Sequence, residues 1–182
     1  MTALEKLVAD TNYAHCRQVA NICKIVAERA GYSTDEILII EQAALLHDVG
    51  KGKIDKAIMD KPGKLTPEEF EIVKKHTEAG HDQIMDTIEI LRTSAECAKY
   101  HHEKPDGTGY FQITGSGISP FVRLISVIDV YDALVSKRVY KDSWDNKSVI
   151  DYLTENKTQF DQYIVKCLVN SLDDVLPLYE AK

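Results

Sequence analysis

The sequence predicts an all-α fold, a compact helical bundle of about seven helices. Apolar residues recur with a helical period over most of the chain, and helix start and stop signals bracket those stretches. Strand signals are weak: alternating β-branched runs are few and no Asn-Gly hairpin dipeptide occurs. At 182 residues the chain has an ordinary length for one domain, so a single unit over residues 1–182 is expected, with a core that needs no staples.

The elements follow in order. A first helix is expected over about 12–30, with Gly31 as its C-terminal cap. A second begins at Ser33, where Ser33-x-x-Glu36 reads as a capping box. It carries LIIEQAALL, apolar on most sides, which predicts a central, buried helix. Gly50 and Gly52 break the pattern. Thr66, Pro67 and Glu69 open the next helix, to about residue 86, and another covers about 88–100. A Gly- and Pro-rich loop spans Glu103 to Ser119, and Pro120 starts a helix to about residue 137. Two further helices are expected near 146–156 and 161–176.

Composition narrows the function. Net charge is −7, which argues against binding a DNA or RNA polymer but leaves room for a small phosphate substrate in a locally positive pocket. No apolar run reaches the roughly eighteen residues of a membrane span, and the N-terminus lacks a signal-peptide pattern. Cys16, Cys23, Cys97 and Cys167 are scattered without a C-x-x-C pair, as expected of reduced core thiols in a cytoplasmic protein. Cys16 adjoins His15, but helical neighbours point about 100° apart, so it is expected to pack inward.

Five of the six histidines and two aspartates fall at inward positions. His15 shares a face with Val19, Ile22 and Val26; His47 follows Ile40, Ala43 and Ala44; His76 follows Ile72 and Val73; Asp129 lies with Val122, Ile125 and Ala133. A buried imidazole or carboxylate is costly unless paired or bound to metal. One such residue is usually a hydrogen-bonded core residue; several on separate helices imply a shared cation site. His, Asp and no Cys suit a catalytic Fe, Mn, Co or Zn rather than structural zinc. His101 and His102 add two nitrogens beside the long loop. Seven candidate ligands exceed one ion and suit two, about 3.5–4 Å apart, with Asp48 the best bridging carboxylate.

The segments HDVGKGKI (47–54), KPGKLTPEEFEIVKKHTEAG (61–80), HHEKPDGTGYF (101–111) and DVYDALVSKRVYK (129–141) resemble the HD-GYP family, bacterial members of the HD phosphohydrolase superfamily. The resemblance runs from about Tyr13 to Tyr179. It implies a metal-dependent phosphodiesterase that hydrolyses a cyclic dinucleotide, chiefly cyclic di-GMP, by metal-activated water. The family's ligands fall on His15, His47, Asp48, His76, His101, His102 and Asp129. The resemblance further implies that Lys51, Arg138 and Lys141 contact phosphate and that Asp132 supports the glycine-rich loop. Asp48 and Lys51 are then the catalytic candidates, and Gly109 and Tyr110 join the substrate residues. Tyr110 is read two ways, as stacking on a guanine base or as packing against the bundle.

Two departures bear on these expectations. The loop reads Gly109-Tyr110-Phe111 where the family has Gly-Tyr-Pro, which implies a less rigid loop with an added aromatic face. Members with three metals carry a Glu one turn before the first His; here that position is Thr11, and Asp10 is rotated off the face, so two divalent ions are expected. Iron or manganese come first, with zinc, cobalt, nickel and magnesium also compatible. The receiver or sensor domain usual in the family is not read here, so regulation is expected from a separate protein partner or from a longer chain. Alternatives are a phosphohydrolase acting on another nucleotide and a non-catalytic metal- and ligand-binding signalling module. Of the remaining polar residues, His81 is expected at the surface or near the ligands, Glu103 as a partner of an imidazole, Glu41 near the ligands or at the bundle edge, and Trp144 as a packing anchor.

Overall fold

Helix formation follows the capping signals. In the computed structural model, which describes residues 7, 12–87, 91–136 and 143–180, α1 (Tyr13–Ala30) stops at Gly31, whose φ of 85° is left-handed and costs glycine nothing. The Ser33 capping box forms at the head of α2 (Thr34–Leu46). The Thr66 box forms at the head of α4 (Pro67–Lys74), after the single turn α3 (Lys56–Met59). Then come α5 (His76–Thr87), α6 (Arg92–Tyr100), α7 (Pro120–Val135), α8 (Asn146–Glu155), α9 (Gln162–Val169), α10 (Leu172–Val175) and α11 (Pro177–Glu180). Tight 3-10 turns cover Val49–Lys53 and Gly115–Gly117. Among the described residues the only β pairing is the isolated Asp106–Thr114 bridge, so the all-α expectation holds.

Two expected helices are broken in the structure. The one over 66–86 divides at Lys75, between α4 and α5. There the His76 ring and the Thr77 hydroxyl donate to the carbonyls of Val73 (2.7 Å) and Lys74 (2.8 Å), competing with the backbone ladder. The one over 161–176 divides after α9, where the Ser171 hydroxyl takes the Cys167 carbonyl at 2.9 Å. The expected burial of α2 holds on one side, where Ile37, Ile40, Ala43, Ala44 and Leu46 are buried. α2 packs against α1 and α6, and its remaining side leaves Leu38 59% exposed.

The main core joins Val19, Ile22 and Val26 of α1, Ile40 and Ala44 of α2, and Val122, Ile125 and Ile128 of α7. Each large aliphatic side chain buried here contributes roughly 1.5–3 kcal/mol. A smaller cluster, Leu46, Val49, Ile84, Ala95 and Ala98, lies under the 3-10 turn. α2 contributes to both clusters, so its C-terminal end, carrying His47 and Asp48, sits at their junction.

Candidate metal centre

Three histidines are presented by one device. His47 caps the end of α2, His76 follows the break after α4, and His101 caps the end of α6. In each, Nδ1 donates to the carbonyl three residues back: Ala44 (2.6 Å), Val73 (2.7 Å) and Ala98 (3.0 Å). A carbonyl only accepts, so the proton is fixed on Nδ1 and Nε2 is left facing the interior.

His15 is held differently. Its Nδ1 donates to Asp132 Oδ2 at 2.6 Å, and its Nε2 lies 3.0 Å from Asp129 Oδ1. Asp132 is itself fixed by the hydroxyls of Tyr179 (2.7 Å) and Ser136 (3.2 Å), which donate to Oδ1.

The side chains gather in two groups, His15–His47–Asp129 and His76–His101–His102, each with ligand atoms within 4.8 Å of one another. Asp48 lies between them, 1% exposed. Its Oδ2 faces the first group, 3.4 Å from His47 Nε2 and 3.9 Å from His15 Nε2. Its Oδ1 faces the second, 3.5 Å from His76 Nε2 and 3.6 Å from His101 Nε2. Lys51 reaches Asp48 Oδ2 from the rim.

The electrostatics match this division. Burial opposes ionisation of Asp48 and Asp129, but Lys51 and His47 on the one, and the bonds to His15 and His47 on the other, hold both carboxylates well below their usual range. Burial also opposes protonation of His15 and His47, yet the facing carboxylates raise both. In the second group burial and then the neighbouring His101 lower His76 to about 4 and pull His102 well down. The first group thus pairs imidazoles with ionised carboxylates, and in the second His76 and His102 are held against protonation.

A cation fits both. His47 Nε2 and Asp48 Oδ1 are buried without a hydrogen-bond partner, and such atoms are costly in a dry interior unless something coordinates them. The Nε2 atoms of His76 and His101 converge to 3.5 Å with both Nδ1 protons already spent on carbonyls.

A family model described as HD domain matches residues 2–164. The chain belongs to the HD domain family. Among curated relatives it is 36% identical over 159 residues to the cyclic di-GMP phosphodiesterase response regulator RpfG of Xanthomonas campestris pv. campestris, covering 86% of this chain and 42% of that protein. It is 35% identical over 168 residues to the 3'3'-cGAMP-specific phosphodiesterase 2 of Vibrio cholerae, covering 91% of this chain and 32% of that one. This HD domain therefore spans well under half the length of either relative. A solved HDG"Y"P protein from Bdellovibrio bacteriovorus shares the fold, with a TM-score of 0.74 at 20% identity over 90% of this chain and 53% of that one.

Around this HD domain centre the structure revises several expected roles. Asp132 holds His15 rather than the glycine-rich loop. The loop is held by Glu103, which was expected to orient an imidazole: its two oxygens accept from the N–H groups of Phe111 and Ile113, each at 2.8 Å. Gly109 passes so close that a Cβ there would lie 2.5 Å from Glu103 Cα. The donor that proline lacks is thus what ties Phe111 down, and the looser loop expected at this position is not what forms.

Tyr110 lies against His102, with ring centroids 4.7 Å apart. Cys16 approaches His47 and Asp48 closely enough to join a ligand group, but burial raises its thiol pKa and keeps it protonated. His81 pairs with Asp82 at the surface, Glu41 lies at the bundle edge in a groove with Tyr13 and Arg17, and Trp144 packs on Tyr152. Arg138 and Lys141, like Asp10 and Thr11, lie outside the described residues.

The burial of Glu103 and Asp132 was not a sequence signal; each is one acidic residue among twenty-nine. Asp132→Ala is expected to weaken cation affinity about 10–100-fold while helix content stays intact, because His15 loses the carboxylate that orients it. Competition against a chelating dye measures this.

Proposed function

We propose that this chain is a single catalytic domain, a metal-dependent phosphodiesterase that hydrolyses a cyclic dinucleotide, with cyclic di-GMP the first substrate. The carrying observation is Asp48, one buried carboxylate with an oxygen turned to each of two ligand groups. That placement suits two cations sharing a bridge. His15, His47 and Asp129 would hold one, and His76, His101 and His102 the other. The donor set, imidazoles and carboxylates without thiolate, favours iron or manganese. Bound cations there would lower the pKa of a water so that it gives up a proton and supplies hydroxide to attack phosphorus, and would neutralise charge on the phosphoryl oxygens.

The chain's own residues supply the rest. Three carbonyl-locked rings keep their Nε2 atoms aimed inward without reorganising. Lys51 stands at the rim as a point charge for a phosphate oxygen. Arg138 and Lys141, which the family resemblance assigns to phosphate, are the further cationic candidates in this reading. Arg138→Ala is expected to raise KM roughly tenfold with a smaller effect on kcat, the cost of a lost charge-assisted contact. Steady-state kinetics checks it, and an unchanged KM removes Arg138 from the substrate site.

Support comes from the relatives' names, which specify cyclic di-GMP and 3'3'-cGAMP. Phe111 and the 3'3'-cGAMP relative favour a second reading, in which the substrate is a different cyclic dinucleotide. Among the described residues no helix is long and apolar enough to cross a membrane. The four cysteines are buried and unpaired, which supports a reducing, cytoplasmic setting. The deciding experiment is incubation with cyclic di-GMP after loading with Mn²⁺, or with Fe²⁺ under exclusion of oxygen, followed by chromatography. Linear product that disappears with Asp48→Ala supports the reading. Absence of product with both metals counts against cyclic di-GMP and turns the test to a panel of other cyclic dinucleotides.

A further inference from the structure

Next to the His76–His101–His102 group opens a cavity of about 360 Å³. Its walls come from two places far apart in sequence: Phe70 and Lys74 on α4, and His102, Lys104, Thr108 and Tyr110 on and before the glycine-rich loop. Phe70 is 44% exposed, unusual for a large aromatic side chain beside a site of buried polar groups. Its ring meets Tyr110 edge-on at 5.9 Å, while the Tyr110 ring lies tilted against His102.

The Lys74 ammonium stands 5.5 Å from the Tyr110 centroid and 6.0 Å from that of Phe70. It also pairs with Glu71 at 3.0 Å, on the outer side of the helix. Lys104 reaches Gln159 at 3.0 Å. Two aromatic rings and two ammonium groups thus border one opening beside the candidate metal ligands.

We infer that this cavity receives one nucleobase of the substrate, and that Phe70 and Lys74 make it a guanine-preferring pocket. The inference rests on the phosphodiesterase reading for the orientation of the substrate. An aromatic wall accepts any base, since every base has a π face. Selectivity comes from the ammonium groups, which donate and never accept. Guanine offers two acceptors, N7 and O6, on one edge, where adenine offers N7 and an amino donor. The two ammonium groups therefore meet the guanine edge without conflict and meet the adenine amino group with like polarity.

The test uses the metal-loaded full chain with cyclic di-GMP and cyclic di-AMP as substrates. Lys74→Met is expected to cut kcat/KM for cyclic di-GMP about tenfold, mainly through KM, and to cut that for cyclic di-AMP clearly less. Phe70→Ala is expected to raise KM for both by a similar factor of about ten, because stacking does not choose between bases. Metal content measured alongside stays at the wild-type level in both variants.

Equal losses on both substrates in Lys74→Met, or no loss on either, overturn the guanine pocket while leaving the phosphodiesterase standing. If the unmodified protein cleaves neither substrate, the phosphodiesterase reading is tested separately on other cyclic dinucleotides, and calorimetric titration with GMP and AMP decides the pocket. Tighter GMP binding that Lys74→Met weakens supports it; equal GMP affinity with and without Lys74 overturns it.

Discussion

Replacing Asp48 by alanine is expected to lower turnover of the cyclic dinucleotide on the order of a thousandfold, and to lower bound metal in the same preparation. The size follows from where the carboxylate stands. Among the described residues it is the one group with an oxygen within 4 Å of Nε2 atoms in both ligand groups, so in the proposed two-cation site its loss would remove a donor from each cation and the link between them. It also removes the negative charge that His15, His47 and Lys51 face. The fold is expected to persist, because the apolar clusters on either side are built without it. Metal analysis and steady-state kinetics on the same material check this. Normal hydrolysis with normal metal content would mean that the two-cation site is wrongly placed.

Gly50→Ala is expected to be strongly destabilising although Gly50 supplies no ligand atom. Its backbone has no positive φ, so conformational freedom is not the issue; space is. A Cβ there would lie 2.0 Å from the His76 carbonyl oxygen and 2.4 Å from the Gly80 amide nitrogen, both backbone atoms of α5. Neither can swing aside as a side chain would, so α5 must shift bodily from the 3-10 turn. Overpacking of this kind costs about 3 kcal/mol or more. The entropic benefit of Gly→Ala in the unfolded chain, about 0.4–1 kcal/mol, does not offset it. For a chain of this length that corresponds to a fall in Tm of roughly 6–12 °C. Metal content is expected to fall with it, since α5 begins with His76. Calorimetry reads the first effect and metal analysis the second; an unchanged Tm would show that the turn and α5 do not meet so closely.

Much of this was legible in the chain itself. Helix positions, both capping boxes and the Gly31 stop depend on residues within one turn of each other, so local patterns determined them. The inward direction of His15, His47, His76 and Asp129 followed from helical period for the same reason. What period cannot state is which inward groups meet. The partner that orients His15 is Asp132, 117 residues away, and the carboxylate that pins the loop, Glu103, was read as facing an imidazole. The break at Lys75 was hidden because it depends on side chains competing with the helix ladder, a contest that tertiary packing decides.

The base pocket shows the same limit, since α4 and the glycine-rich loop carry no common signal. Sequence determined most helix positions, the two capping boxes, the Gly31 stop and the inventory of ligand atoms. Tertiary structure alone decided that Asp48 stands between two groups, that the Phe111 N–H serves as a tether, and that Phe70 borders the site. Local spacing fixes direction relative to a helix axis, but distance between helices is set by packing, as where Gly50 lets α5 lie directly on the turn.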